Sequence, residues 1–289
     1  MMKLNVNKIV TLAFALFITA VGFAQKDFQG QAFYMSKTSM DMSRFGGGQM
    51  SEQQKAQMAN RMKSLLEKTY ILTFNQTESM YKEEEALAAP TQGGNGGRGF
   101  GGSLSAANGP QYKNVKDNAY LQENELMGKA FLVKDELKPI EWKMDGATKQ
   151  IGKYTVYKAT AEVDAPAASA LQFGRRGGGR NQAAAGEEEK PAAPEKITVT
   201  AWYTMQVPVN QGPGKYWGLP GLILELHEGN TTLLCTKLVL NSEKPEKIKV
   251  PSKGKKVTQA EYEKITADKM KEMAEQFGGR GGRGGGGRR

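Results

Sequence analysis

The stretch that most constrains this chain is Tyr216-Trp217-Gly218-Leu219-Pro220-Gly221-Leu222-Ile223-Leu224-Glu225-Leu226. Pro220 fixes φ near the value required at the second position of a type II turn. Gly221 can supply the positive φ required at the third, so Leu219 to Leu222 is expected to turn. Leu222, Leu224 and Leu226 then alternate with Ile223, Glu225 and His227, the period of a strand with one apolar face and one mixed face. Glu228-Gly229-Asn230 carries turn chemistry, and Thr231 to Leu240 is rich enough in branched and apolar residues to return as the second arm of a hairpin.

Around this hairpin the chain predicts many short strands. The first spans Phe28 to Thr38, and a hairpin follows at Tyr70–Phe74 and Glu78–Lys82. Shorter strands are expected at Gln111–Lys113, Ala119–Met127, Ala130–Val133, Glu141–Met144 and Tyr154–Val163, and Ile197–Val207 reads as the longest. Along that last strand Ile197, Val199, Ala201, Tyr203 and Met205 share one face, and Thr198, Thr200, Trp202, Thr204 and Gln206 share the other. Only two helices are expected. Ser51 and Gln54 would cap one over about Glu52 to Lys68, with Met58, Met62, Leu65, Leu66 and Thr69 on its apolar face. Thr258 and Glu261 would cap the other, with Tyr262, Ile265, Met270, Met273, Ala274 and Phe277 as its stripe and Gly278 just beyond its end. The fold class is therefore mainly β: a curved antiparallel sheet in the outline of a half-barrel, with one or two covering helices.

Of 289 residues, 35 are glycine, and they concentrate in segments poor in large apolar side chains: Ala86 to Pro110, Pro166 to Pro194, and Gly278 to Arg289. Such segments cannot recover their ordering entropy by burial, so they are expected to be disordered insertions and a tail. Apart from Arg44 and Arg61, every arginine lies in them, while the blocks between use lysine. At the start, Lys3 and Lys8 precede an apolar run from Ile9 to Val21 that ends at Gly22-Phe23-Ala24, the pattern of a secretory signal peptide cleaved after Ala24. The run falls short of the ~20 residues of a spanning helix. The expected plan is a signal peptide over 1–24 and a β domain over 25–257 with insertions at about 86–110 and 166–194. A helix over 258–277 and a Gly/Arg tail over 278–289 complete it.

The hairpin region resembles the GLPGLI proteins, on Gly218-Leu219-Pro220-Gly221-Leu222-Ile223 together with Ala201-Trp202-Tyr203-Thr204, Val207-Pro208-Val209, Gly212-Pro213 and Tyr216. Phe131 to Asp135, Ile140 to Lys143, Ile151 to Tyr154 and Lys158-Ala159 resemble that family's other recurring blocks, so the resemblance covers roughly Phe28 to Leu240. It implies an exported protein of the periplasm or cell envelope of a Gram-negative bacterium of the Bacteroidetes type, in a family with no established activity. The motif residues it singles out, as a structural or partner-binding element, are Trp202, Tyr203, Tyr216, Trp217, Gly218, Leu219, Pro220, Gly221, Leu222 and Ile223.

Little chemistry stands beside that motif. Cys235 and His227 are the only residues of their types, which excludes an internal disulfide and a zinc site of paired cysteines and histidines. Glu225 and His227 can form an acid–base pair on one strand face, but with no second histidine and no nucleophile–base pair His227 reads as a structural or surface histidine. Cys235 lies in an apolar strand and reads as an inert thiol. Met35, Met40, Met42, Met50, Met58 and Met62 could offer thioethers to Cu(I), although Met58 and Met62 already lie on a core face. Glu83-Glu84-Glu85 and Glu187-Glu188-Glu189 read as solvated charge. The Gly-Arg runs resemble segments that bind single-stranded nucleic acid, but in an exported protein they read as an idle solvated tail, with a weak electrostatic contact of Arg280, Arg283, Arg288 and Arg289 with anionic envelope polymers as the alternative. No cofactor, metal or nucleic acid is expected. The expected function is a non-catalytic exported protein that binds an apolar ligand within its curved sheet. The alternatives are a partner module of an outer-membrane transport or assembly system, and an enzyme.

Overall fold

The computed structural model describes residues 28–39, 66–84, 109–164 and 196–278, with the isolated residues 51 and 53. The expected signal peptide, the two insertions, the tail, nearly all of the first helix and every clustered methionine except Met35 lie outside these. The strands are β1 (Gly30–Thr38), β2 (Glu67–Phe74), β3 (Glu78–Glu83), β4 (Gln111–Asn114), β5 (Ala119–Leu126), β6 (Lys129–Glu136), β7 (Lys143–Ile151), β8 (Tyr154–Asp164), β9 (Lys196–Thr204), β10 (Leu222–Glu228), β11 (Thr231–Leu240) and β12 (Lys255–Val257). Helix α1 (Gln259–Gly278) follows β12. The protein is thus mainly β, as the alternation predicted.

All twelve strands join one open sheet in the order β12-β6-β5-β4-β3-β2-β1-β11-β10-β9-β8-β7. Every pairing is antiparallel except that of β12 with β6. From β1 the chain meanders outward to β6, crosses to the far edge as β7, and walks back through β8, β9 and β10 until β11 pairs with β1. Local chemistry makes the turns. Asn75 Oδ1 accepts the backbone N–H groups of Thr77 and Glu78 at 2.8 and 2.7 Å, and Asn114 Oδ1 accepts those of Lys116 and Asp117 at 3.0 and 2.9 Å. Both are Asx turns that reverse the chain within a few residues.

Three apolar clusters hold the sheet. The first gathers Ala32, Tyr34, Leu72, Phe74, Tyr81, Val156, Leu222 and Leu224 with Val207 and Val209 from the β9–β10 loop. The second gathers Ala159, Val199, Ala201, Tyr203, Ile223 and Leu226 with Tyr216 and Leu219 from the same loop. Trp202 packs against the first and its neighbours Ala201 and Tyr203 belong to the second, so the two clusters occupy opposite faces of β9. In the third, Tyr262 and Ile265 dock α1 on Phe131 and Val133 of β6. The capping box of this helix forms as expected: Thr258 N–H donates to Glu261 Oε2 at 2.8 Å, and Glu261 N–H donates to Thr258 Oγ1 at 3.2 Å.

Several boundaries differ from those expected. The first helix cannot reach Lys68, because Glu67 to Thr69 already pair with β1. β9 ends at Thr204 rather than Val207, and β8 is the longest strand with 11 residues. β7 runs on to Ile151 as an edge strand with a bulge between Met144 and Thr148. Its exposed polar residues carry no alternation for a sequence pattern to find. β12, expected as irregular basic chain, pairs for three residues because Val257 buries against the third cluster.

The strand expected to have one apolar face has two. A bulge in β10 places Ile223 opposite Tyr203 and Glu225 opposite Trp202, with Leu224 as the extra residue. Strict alternation fails there: Leu222 and Leu224 enter the first cluster, Ile223 and Leu226 the second, and Ile223 parts from Glu225 and His227. Leu224 is 1% exposed in the first cluster. Leu224→Ala is expected to cost about 2 to 5 kcal/mol through the cavity it leaves, read as a lowered urea midpoint with an unchanged slope.

Candidate functional site

The residues singled out in the sequence converge on the loop from Met205 to Gly221. Its first half repeats a strand-like alternation in which Val207, Val209 and Gln211 are buried while Pro208 and Asn210 are exposed. It docks on the start of β10 through Leu222 N–H to Val207 O at 3.0 Å and Ile223 N–H to Gln211 O at 3.2 Å. The loop then folds back on itself, with Gly218 N–H bonded to Asn210 O at 3.1 Å.

Side chains from distant strands hold it. Lys113 of β4, fully buried, donates to Gly212 O at 2.7 Å and to Tyr216 O at 2.8 Å. Ser79, its partner across the β3–β4 register, donates to Gln211 Oε1 at 2.8 Å. Tyr34 of β1 donates from its hydroxyl to Ile223 O at 2.6 Å. β4 and β10 are five places apart in the sheet, about 24 Å along a flat one at ~4.8 Å per strand, so the sheet curls and the loop lies across its face. The β6–β7 connection supplies the last clamp, a reciprocal pair in which Trp142 Nε1 donates to Trp217 O at 2.8 Å and Trp217 Nε1 donates to Lys138 O at 3.0 Å.

Each motif residue has a distinct place. Tyr216 and Leu219 are buried in the second cluster, Trp217 is half-buried, and Gly218 and Pro220 are exposed. Trp202 lies beneath Lys149 Nζ, 4.2 Å from its ring centroid, and Tyr203 hydrogen-bonds Met144 Sδ at 3.5 Å. The expected type II turn does not form. The positive φ belongs to Gly218, at +92°, whereas Gly221 has no positive φ. Gly221 is needed for a different reason: a Cβ there would sit 2.1 Å from Thr204 O, where the end of β9 and the start of β10 close their ladder at the Thr204–Leu222 pair.

Residues 142–225 match the family described as a protein of unknown function, Porph_ging. The matched range takes in the clamp residue Trp142, β7, β8, β9 and the loop, and ends at Glu225. It is shorter than the span of the GLPGLI resemblance. No curated protein matches the chain. Similar solved structures include PNGF-II in two crystal forms, C2 and P21, at 13% and 14% identity with TM-scores of 0.43 and 0.42. The similarity covers 82% and 83% of this chain but only 32% and 33% of theirs, so the chain spans about a third of their length.

Lys113 is the residue that sequence reasoning missed, since nothing in Gln111-Tyr112-Lys113 marks a lysine for burial. Burial pushes its pKa down to about 7. The hydrogen bonding agrees, because a neutral amine carries two N–H groups for the two carbonyls, while an ammonium carries three donors. Burial likewise raises the hydroxyls of Tyr34 and Tyr81 well above the usual phenol range.

Glu225 and His227 do form a pair, and the structure extends it. His227 Nε2 lies 2.5 Å from Glu225 Oε1, His227 Nδ1 lies 3.0 Å from Thr232 Oγ1, and Lys149 donates to Glu225 Oε2 at 2.7 Å. Lys149 could have been found only by knowing the registers that run from β7 through β8 and β9 to β10, and Thr232 only by knowing that of β10 with β11. Both oxygens of Glu225 are thus occupied, which suits a structural network better than a free base. The Cys235 thiol, pushed up to about 11 by burial, is a poor nucleophile at neutral pH, as its apolar strand suggested.

Two outcomes test this geometry. Gly221→Ala should cost more than ~2 kcal/mol, because its methyl group meets backbone that cannot move away, while Pro220→Ala at the exposed neighbour should cost ~1 kcal/mol or less. Thermal melts of the two variants distinguish them. Between pH 7 and about 10 the unfolded chain holds a proton on Lys113 that the folded chain has released, so stability should rise with pH by up to a few kcal/mol. Urea midpoints at pH 7 and pH 9.5 should show this rise in the wild type, and Lys113→Met should lack it.

Proposed function

We propose that this is an exported envelope protein of the GLPGLI type, without catalytic activity, that serves as a docking module for a protein partner. Export rests on Lys3, Lys8 and the apolar run that follows them. The docking reading is carried by one observation: Met144, 56% exposed, caps the hydroxyl of the buried Tyr203, and Met205, two residues on and 48% exposed, opens the loop that carries half-buried Trp217 and exposed Pro220. Exposed methionine among aromatic rings is the composition of a protein interface. The residues that would have lined an apolar ligand site on the curled sheet instead contact Val207 and Val209 of the protein's own loop, so the docking reading is favoured over a carrier. Occupation of both Glu225 oxygens argues in the same way against an enzyme.

The protein isolated intact from its own cell envelope should carry a stoichiometric protein partner in native mass spectra. The double variant Met144→Lys/Met205→Lys should lose that partner at least about tenfold, a change of ~1.4 kcal/mol, while melting like the wild type. Co-purified lipid in place of a protein, retained by the double variant, would replace the docking reading with the carrier.

A further inference from the structure

Between β11 and α1 the chain carries Lys244, Lys247, Lys249, Lys253, Lys255 and Lys256 against only Glu243 and Glu246. The usual reading of such a run is a solvated, mobile surface, but this one is fastened at three points. Glu246 accepts from Gln31 Nε2 at 2.6 Å and from Lys82 Nζ at 3.0 Å. Glu123 Oε1 accepts the backbone N–H groups of Ser252 and Lys253 at 3.0 and 3.1 Å. Gly254, at φ +108°, presses so closely on β6 that a Cβ would lie 2.7 Å from the backbone of Ala130 and Phe131. Pro245 just before the first anchor and Pro251 just before the second restrict the chain further.

The fastening has an electrostatic consequence. Glu246, the acid within the run, already faces Lys82, so it does not cancel its neighbours. All six lysines are exposed. At ~3.3 Å per residue of extended chain, separations of one to four residues put neighbouring lysines about 3 to 13 Å apart, around the ~8 Å Debye length at physiological salt, so their potentials partly add. Between Lys249 and Lys253 stands Val250, 54% exposed, beside Pro251. A soluble polyanion has no use for that apolar tip. A layer of anionic headgroups over acyl chains does, since the lysines would lie at the phosphates with Val250 below them.

We propose that the strap from Lys244 to Lys256 is a binding surface for anionic lipid headgroups, independent of the docking patch around Tyr203. Each lysine beside an anionic surface is worth about fivefold in affinity, so three together give about a hundredfold. The full chain should co-sediment with vesicles containing about a third phosphatidylglycerol and not with pure phosphatidylcholine. Binding should weaken steeply as salt approaches 1 M, where the Debye length is ~3 Å.

Lys247→Gln/Lys249→Gln/Lys253→Gln should lose about a hundredfold, Val250→Asp should lose at least about tenfold, and a chain lacking residues 278–289 should keep the lipid preference, all with melting near wild type. Equal binding to both vesicle types would overturn the proposal. So would a triple variant that binds like the wild type, or a loss of binding on removing residues 278–289 alone. If Val250→Asp binds unchanged and soluble polyphosphate displaces the vesicles, the strap reads soluble polyanions and the lipid assignment is wrong.

Discussion

The contact between Lys113 and the carbonyls of Gly212 and Tyr216 ties the far wing of the sheet to the loop that starts β10. An apolar side chain at this position would fill the space, but it would leave two buried carbonyls without donors, at ~1 to 3 kcal/mol each. Lysine satisfies both from one atom, and its depressed pKa removes most of the cost of burying a charge. Ser79 and Tyr34 add donors to Gln211 and Ile223, so the loop is held from β3 and β4, and the start of β10 from β1, by groups whose positions are set by the strand registers. The loop in turn contributes Val207 and Val209 to one cluster and Tyr216 and Leu219 to the other. Each side of β10 is therefore closed only when the loop is in place.

Topology makes this dependence cooperative. β1 pairs with β2 early in the chain, but its other neighbour is β11, and Gln29 N–H meets Asn241 Oδ1 across 212 residues of sequence. The ladder cannot join until the chain has crossed to the opposite edge and returned through four strands. Contacts of such separation cost loop entropy before they return any burial, which makes β-rich folding slow. Hairpin turns such as the Asx turns at Asn75 and Asn114 reduce that cost by forming locally on each wing.

Legibility followed this division between local and distant. Alternation and turn chemistry revealed most strands, the hairpin at Gly229-Asn230 and the capping box of Thr258 and Glu261, because each depends on residues a few positions apart. The bulge at Leu224 was hidden because it is a property of the pairing with β9, and it inverted every face assignment beyond Leu224. Gly221 was singled out on the wrong physical ground: a Pro-Gly pair suggests a turn, while the constraint comes from Thr204, seventeen residues upstream but adjacent in the ladder. Lys113 had no local signal at all, since a lysine is buried only where a partner from elsewhere receives it.

An open sheet must also manage its two edges, and the two proposed surfaces lie beside them. β12 is three residues long and carries Lys255 and Lys256, so it offers little ladder to an incoming strand. β7 is longer, but its bulge interrupts the ladder between Met144 and Thr148, and Gly146 takes a φ of +79° within it. A partner arriving at that edge meets a broken row of backbone groups and the exposed side chain of Met144, which is hydrogen-bonded to the buried Tyr203, with half-buried Tyr157 6.0 Å from that ring. Recognition there would come from side-chain packing rather than from addition of a strand, which discriminates among partners by shape and discourages edge-to-edge aggregation. The bulge in β7 thus lets an exposed edge carry the apolar side chain of Met144 without offering a continuous ladder to another strand.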